Sequence, residues 1–197
     1  MDLRMSHFRR ASALGLVAVL TGCSSVPLPS VIQLSRINAE TTDLAALRVA
    51  VRLPAALTPR PSGVNMDVLA KVSGEADHKT SFLLTETREA ADLSSLVDAV
   101  RPGFSIHAYR LAPSEVERFA LMRAALFKKR QEGRRVFAGI EVATKEFCLV
   151  GPLPPGPLLS TTYLSTSETR GYVVVTNDLD LAKVPAVATE LSKLGPC

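Results

Sequence analysis

The chain contains no tryptophan, only 5% aromatic residues, three histidines and three cysteines among its 197 residues. A nucleic-acid-binding protein needs a basic surface interleaved with aromatic side chains, whereas the formal net charge here is only +4, so nucleic acid is not an expected partner. The sequence also lacks a Gly-rich phosphate loop, a Gly-x-Ser-x-Gly motif and a Cys-x-x-Cys pair. No metal-ligand spacing is recognisable either, so we predict no cofactor and no metal.

The composition is nevertheless that of a folded protein. Hydrophobic residues make up 47% of the chain and charged residues 21%, far from the composition of disordered proteins. Once an N-terminal leader is removed, the remaining length suits one domain of ordinary size. We therefore predict a single globular domain over residues 44–197.

The first 22 residues have the order of an export signal peptide. Arg4, Arg9 and Arg10 give a positive start, and an apolar run follows over residues 11–20. This run is shorter than the roughly 20 apolar residues that a transmembrane helix needs. The order therefore favours a leader that is removed.

The leader ends in Leu20-Thr21-Gly22-Cys23, which resembles the lipobox of bacterial lipoproteins. The resemblance implies cleavage before Cys23 by signal peptidase II and attachment of membrane lipid, with palmitate-type acyl chains, to that cysteine. Several acyl chains, at about 0.8 kcal/mol per buried methylene, would hold the protein on a membrane permanently. The alternative is a buried N-terminal helix in which Cys23 is a small core residue.

The residues after the anchor bear on location and flexibility. Ser24 stands where an aspartate would retain an enteric lipoprotein in the inner membrane, so the resemblance favours the outer membrane over the cell membrane. In both cases the domain would face the periplasm. Residues 24–30 are rich in serine and proline, a composition that resists helix and sheet, so we expect residues 23–43 to be the lipidated N-terminus and a tether.

The rest of the chain reads as strands with few helices. Alternation over Leu47–Leu53 indicates a strand ending at Pro54, and six further strands are expected near residues 64–73, 82–87, 104–111, 135–150, 158–166 and 172–176. Ser114 and Glu117 form a capping box for a helix that ends near Gly133, and a final helix is expected over about 179–194. These elements predict an α+β domain with a mostly antiparallel sheet of about seven strands and two helices.

The order of elements repeats. Strand, Pro-rich connection, strand, turn, strand and helix follow one another twice, which suggests two pseudo-repeats although their residues differ.

Cys148 and Cys197 are the two cysteines that remain after lipidation, and an exported chain lies in an oxidising compartment. We therefore predict a disulfide between them. By the loop-entropy model, closing a loop of about 50 residues stabilises the fold by up to about 4 kcal/mol. The alternative is a buried Cys148 and a frayed Cys197.

Candidate ligand contacts are few. His107 and Tyr109 project from the same face of a predicted strand, and Thr162 lies in a strand rich in hydroxyl groups. These three could contact a ligand, but packing under a loop or on an ordinary sheet face explains them as well. His78 follows two carboxylates in a turn, where a solvated polar turn is the simpler interpretation.

These observations favour a non-enzymatic envelope lipoprotein that binds an envelope protein partner or an apolar ligand. The alternative class is a hydrolase of cell-envelope material that uses carboxylates such as Glu141 or Glu168, since such chemistry needs no histidine. A purely structural lipoprotein is a third interpretation. We expect no catalytic residues, but the sequence leaves open whether the protein is an enzyme, and it does not identify a ligand or partner.

Overall fold

The computed structural model describes residues 26–144 and 146–197. The predicted signal peptide and Cys23 lie outside the described residues, so the lipid anchor stays a prediction. Among the described residues, no helix combines the length and hydrophobicity that a bilayer span requires.

The described residues contain four α-helices and nine strands. The helices are α1 (Leu28–Leu34), α2 (Ala90–Leu93), α3 (Pro113–Gln131) and α4 (Pro185–Leu191), with 3-10 turns at Ser94–Ala99 and Leu181–Lys183. The strands are β1 (Arg48–Pro54), β2 (Leu57–Pro59), β3 (Val64–Val72), β4 (His78–Thr87), β5 (Phe104–Leu111), β6 (Val136–Thr144), β7 (Phe147–Leu149), β8 (Leu159–Ser165) and β9 (Val173–Asp180).

Seven of the strands form one sheet in the order β6-β3-β4-β5-β1-β8-β9, and every neighbouring pair is antiparallel. β2 and β7 form a separate two-stranded sheet. The predicted α+β class and antiparallel sheet of about seven strands are confirmed.

The two halves of the chain exchange their first strands. β1 pairs with β5 of its own half and with β8, but not with the β3-β4 hairpin, and β6 pairs with β3 instead of β8. The two connections that follow these first strands contain β2 and β7, which pair with each other. The repeated order of elements therefore corresponds to a repeated arrangement in space, with β5 inserted between the two sets.

The core lies between one face of the sheet and α3. Val49, Val51 and Leu53 point from β1 into this layer and are at most 1% exposed. Phe119 of α3 stacks on Phe82 of β4, with ring centroids 4.8 Å apart. Spacings of three and four in the sequence predict an apolar stripe on this helix, made of Val116, Phe119, Ala120, Ala124 and Phe127. The first three of these residues pack in the core.

The opposite face of the sheet is covered near β1 by the α2 segment and the 3-10 turn after it. Leu96 of that turn packs with Ala50, Ala108 and Tyr163, which form a second, smaller cluster. The small residues on β1 and β5 allow this segment to lie close to the sheet.

The predicted capping box of α3 is wrong. The helix begins at Pro113, Ala112 occupies the N-cap position, and no side chain caps the helix there. Proline has no N–H to satisfy and a helical φ, so it is well suited to the first turn. Ser114 therefore lies inside the helix.

The expectation that the serine- and proline-rich segment avoids helix is also wrong. α1 begins directly after Pro27 and includes Pro29 in its first turn, where the missing N–H costs nothing. Residues 37–47 then run against the domain, and Leu44 and Leu47 are buried in its core.

The C-terminal prediction was partly wrong. β9 extends to Asp180, so the final helix is shorter than expected and begins at Pro185. Beyond it the chain returns to β7, where the Leu149 N–H donates to Gly195 O (2.9 Å) and the Cys197 N–H donates to Leu149 O (3.0 Å). The sulfurs of Cys148 and Cys197 lie 2.11 Å apart, a distance compatible with the predicted disulfide.

Candidate functional site

The structure does not bring the three predicted ligand contacts together. His107 lies on β5 and Thr162 on β8, and Val51 of β1 stands between them in the sheet. Tyr109 is 3% exposed and belongs to the main core, where burial, together with the charge of Glu86, raises the pKa of its phenol. Tyr109 thus packs inside the protein.

His107 is engaged within the sheet. Its Nδ1 lies 3.0 Å from Glu86 Oε1 and its Nε2 lies 3.2 Å from Ser105 Oγ. Both ring nitrogens therefore have partners on the same or the neighbouring strand. These contacts fix the orientation of the ring.

Thr162 lines a cavity of about 580 Å³ between β6, β8 and α4, whose wall is partly polar and partly apolar. Lys79, Glu141 and Glu190 also line it, so its wall carries charges of both signs. Lys79 Nζ lies 2.7 Å from the fully buried Asp67 and 3.4 Å from Glu141 Oε2. The hydrogen bond to Asp67 raises the pKa of Lys79 against the opposing effect of burial, so this cation is held firmly in place.

The two carboxylates considered for hydrolysis have separate partners. Glu141 contacts Lys79, whereas Glu168 Oε1 lies 2.8 Å from the hydroxyl of Thr42. Burial opposes the ionisation of Glu168, but hydrogen bonds led by that from Thr42 outweigh it and lower its pKa. A carboxyl that stays ionised suits a hydrogen-bond acceptor rather than a general acid.

His78 is exposed at the start of β4. Among residues 26–144 and 146–197, no group of three or more histidine, cysteine, aspartate or glutamate side chains is arranged to hold a metal ion.

A buried arginine forms the most connected polar cluster. Arg52 is 3% exposed and donates to Asp178 Oδ1 (2.9 Å), Thr161 Oγ1 (2.8 Å) and the Tyr163 hydroxyl (2.9 Å). Asp178 lies at an irregularity between β8 and β9 and has a φ of 46°, a conformation that non-glycine residues seldom adopt. Asp178 of β9 also accepts from the Thr161 hydroxyl of β8 (3.0 Å), so the cluster joins these two strands to β1.

An apolar cavity of about 230 Å³ lies between α3 and the sheet. Phe119, Met122 and Leu126 line it from α3, and Val68 and Leu164 line it from β3 and β8. Val136, Ala138 and Ile140, alternate residues of β6, complete the sheet side. The wall is therefore mostly hydrocarbon, although Glu40, Thr42, Arg123, Arg130 and Thr166 also line the cavity.

Residues 37–47 form the remaining wall and are fastened to α3 by two arginines. Arg123 donates to Thr42 O (2.7 Å), and Arg130 Nη1 lies 2.6 Å from Glu40 Oε1. These contacts hold the segment between α1 and β1 against α3, and the segment closes one side of the cavity.

The mouth of the cavity exposes large apolar side chains. Phe127 on α3 is 38% exposed and Ile140 on β6 is 46% exposed, and both line the cavity. A mostly apolar cavity of this size can accept an apolar molecule. The arrangement can therefore bind a hydrocarbon group that enters between α3 and β6.

The sequence did not reveal this cavity. Leu44 and Leu164 both line it but are more than 100 positions apart, and each reads as an ordinary core residue. One feature of the sequence did point to the cavity: the apolar stripe of α3 continues to Phe127, which lines the cavity and is not buried in the core. Comparisons of the chain with protein-family models, with curated proteins and with solved structures gave no match, so its function has to be inferred from its own residues.

Proposed function

We propose that the protein is a bacterial envelope lipoprotein, anchored through Cys23, whose domain binds a hydrocarbon chain of a membrane lipid without chemical conversion. The observation that carries the proposal is the apolar cavity with Phe127 and Ile140 exposed at its mouth. Exposed aromatic and aliphatic side chains around a concave apolar site are typical of ligand entry. The lipobox supports the anchor, and a tethered domain facing the periplasm would find lipid next to it.

The size of the cavity limits the ligand. At about 30 Å³ for each water-sized group, 230 Å³ holds roughly seven or eight methylene groups. Burial of that many methylenes at about 0.8 kcal/mol each gives a gross gain of about 6 kcal/mol. The loss of ligand freedom reduces this value, so we expect weak, reversible binding of part of an acyl chain.

The proposal can be tested by filling the cavity. Leu126→Trp places a large apolar side chain in the cavity from the middle of α3 without adding a charge. The matched control is Leu121→Trp, because Leu121 lies on the same helix but is 74% exposed. Membranes containing each full-length variant would be incubated with a free photoactivatable fatty acid and irradiated, and labelled peptides would be identified by mass spectrometry.

We expect the unmodified protein and Leu121→Trp to carry label on peptides from α3 and β6, and Leu126→Trp to lose it. Circular dichroism would establish that both variants are folded. Equal labelling of the two folded variants would show that the cavity is not where the hydrocarbon binds.

A further inference from the structure

β6 is an edge strand with one unpaired side. Its whole length pairs with β3, and no other backbone partner of Val136–Thr144 is present among the described residues. The strand is also exposed: Phe137 by 68% and Ile140 by 46% of their surfaces. The opposite edge of the sheet differs, because α1 packs against β9.

The β6 edge has few of the features that keep exposed edges from pairing. Natural edge strands are protected by lysines, prolines, bulges or short length. Residues 136–144 have none of these: the strand runs for nine residues in register with β3, and Glu141 is its single charged residue. Such an edge is suited to accept another strand through main-chain hydrogen bonds.

We propose that β6 pairs antiparallel with β6 of a second copy of this chain, which joins the two sheets into one. In the proposed register, Ala138 of one copy faces Ala138 of the other. Arg135 then faces Glu141 of the second copy, and Phe137 faces Gly139, in both cases twice because the pair is symmetric. This register places opposite charges next to each other. It also places the large exposed side chain of Phe137 against Gly139, which has no side chain.

The surroundings of these residues suit the register. The surface above Gly139 is open, with no heavy atom within 4 Å of where a Cβ would lie, so the Phe137 ring of the second copy can cover it. The ion pair of Glu141 with Lys79 is exposed and 3.4 Å long, and an exposed pair of this kind contributes little. Glu141 is therefore available to Arg135 of the second copy. On the other face of the strand, Val136 and Ile140 bring apolar surfaces together.

Position 138, which faces the same position of the second copy, allows a direct test by disulfide trapping. Residues facing each other across an antiparallel pair have Cα atoms about 4.5–5.5 Å apart, within the range that a disulfide bridges. Ala138→Cys in the full-length chain should therefore give a dimer-sized product when membranes are mildly oxidised. Ala143→Cys is the matched control on the same strand, because its two copies would lie roughly 34 Å apart along the strands.

Charge exchange tests the register. In the Ala138→Cys background, Arg135→Glu or Glu141→Arg alone sets like charges against each other, so we expect the dimer-sized product to be lost. The double exchange restores opposite charges and should restore the product, which shows that the single variants had not failed to fold. Equal trapping at positions 138 and 143, insensitivity to the single exchanges, or trapping of a different protein at position 138 would each overturn the proposal.

Discussion

Replacing Asp178 by asparagine should destabilise the protein by about 2 kcal/mol at neutral pH. Asparagine keeps an oxygen acceptor and tolerates the left-handed conformation that Asp178 adopts at φ 46°, so the change removes charge with little new strain. Arg52, which is 3% exposed, then loses its counter-ion. Breaking a fully buried pair costs about 3–5 kcal/mol. Asp178 is 32% exposed and the remaining acceptor still receives a hydrogen bond, so we expect a smaller loss.

The loss should depend on pH in a defined direction. Burial opposes the ionisation of Asp178, but the hydrogen bond from Thr161 and the charges of Arg101 and Arg52 outweigh it and lower its pKa in the folded protein. A group with a lowered folded pKa stabilises the fold above its unfolded pKa, here about 4, and loses this contribution as the pH falls through the folded value. The difference between Asp178→Asn and the unmodified protein should therefore shrink below pH 4.

Urea unfolding of the full-length protein, followed by circular dichroism because the chain has no tryptophan, measures this difference at pH 7 and at several values below 4. The matched control is Asp98→Asn, an exposed carboxylate in the 3-10 turn after α2, which should change the free energy of unfolding by no more than about 0.5 kcal/mol. A loss that is equal for both variants, or that persists unchanged in acid, would refute the role assigned to the Arg52 cluster.

Three further outcomes are expected. Cys23→Ala should abolish metabolic labelling by palmitate, and unchanged labelling would contradict the anchor. Peptide mapping without reduction should recover Cys148 linked to Cys197, whereas alkylation of both thiols before reduction would contradict the disulfide; reducing it should cost up to about 4 kcal/mol of stability. His78→Ala and His107→Ala should each complement a deletion strain, and a folded, anchored variant without any activity would point to catalysis.

The elements that could be predicted are those whose pattern is local. Alternation in β1 and the apolar stripe of α3 each follow from the geometry of a single element, and the strand and the helix lie where the sequence placed them. The burial differs in detail, because β1 is buried on both faces and Ala124 of the stripe is exposed. β2 could not be predicted, because three residues carry too little pattern and Pro59 argues against a strand. The strand expected over residues 135–150 is in fact two strands, β6 and β7. The predicted start of α3 was wrong because Ser114 and Pro113 both favour a helix N-terminus. In the structure Pro113 is the first helical residue, so Ser114 is not the N-cap.

The candidate site depends on contacts that no local pattern contains. Leu44, Leu126 and Ile140 approach one cavity because the chain between α1 and β1 lies across α3, and the sequence shows only that each is apolar. His107 and Thr162 were singled out because polar residues in strands are conspicuous, yet the first is bonded to its neighbours and the second lines a different cavity. The sequence therefore indicated which residues are unusual but not which surfaces remain open.

The exchange of first strands between the two halves has a consequence for the origin of the fold. A fragment that ended before β6 would contain β1 paired with β5 but without β8, and the complementary fragment would contain β6 without β3, its one neighbour in the sheet. A half-length ancestor with the same pairing could complete its sheet only by lending that strand to a twin molecule. Gene duplication and fusion would have turned such a swapped dimer into one continuous chain, in which β2 and β7 still meet as the equivalent segments of the two former molecules.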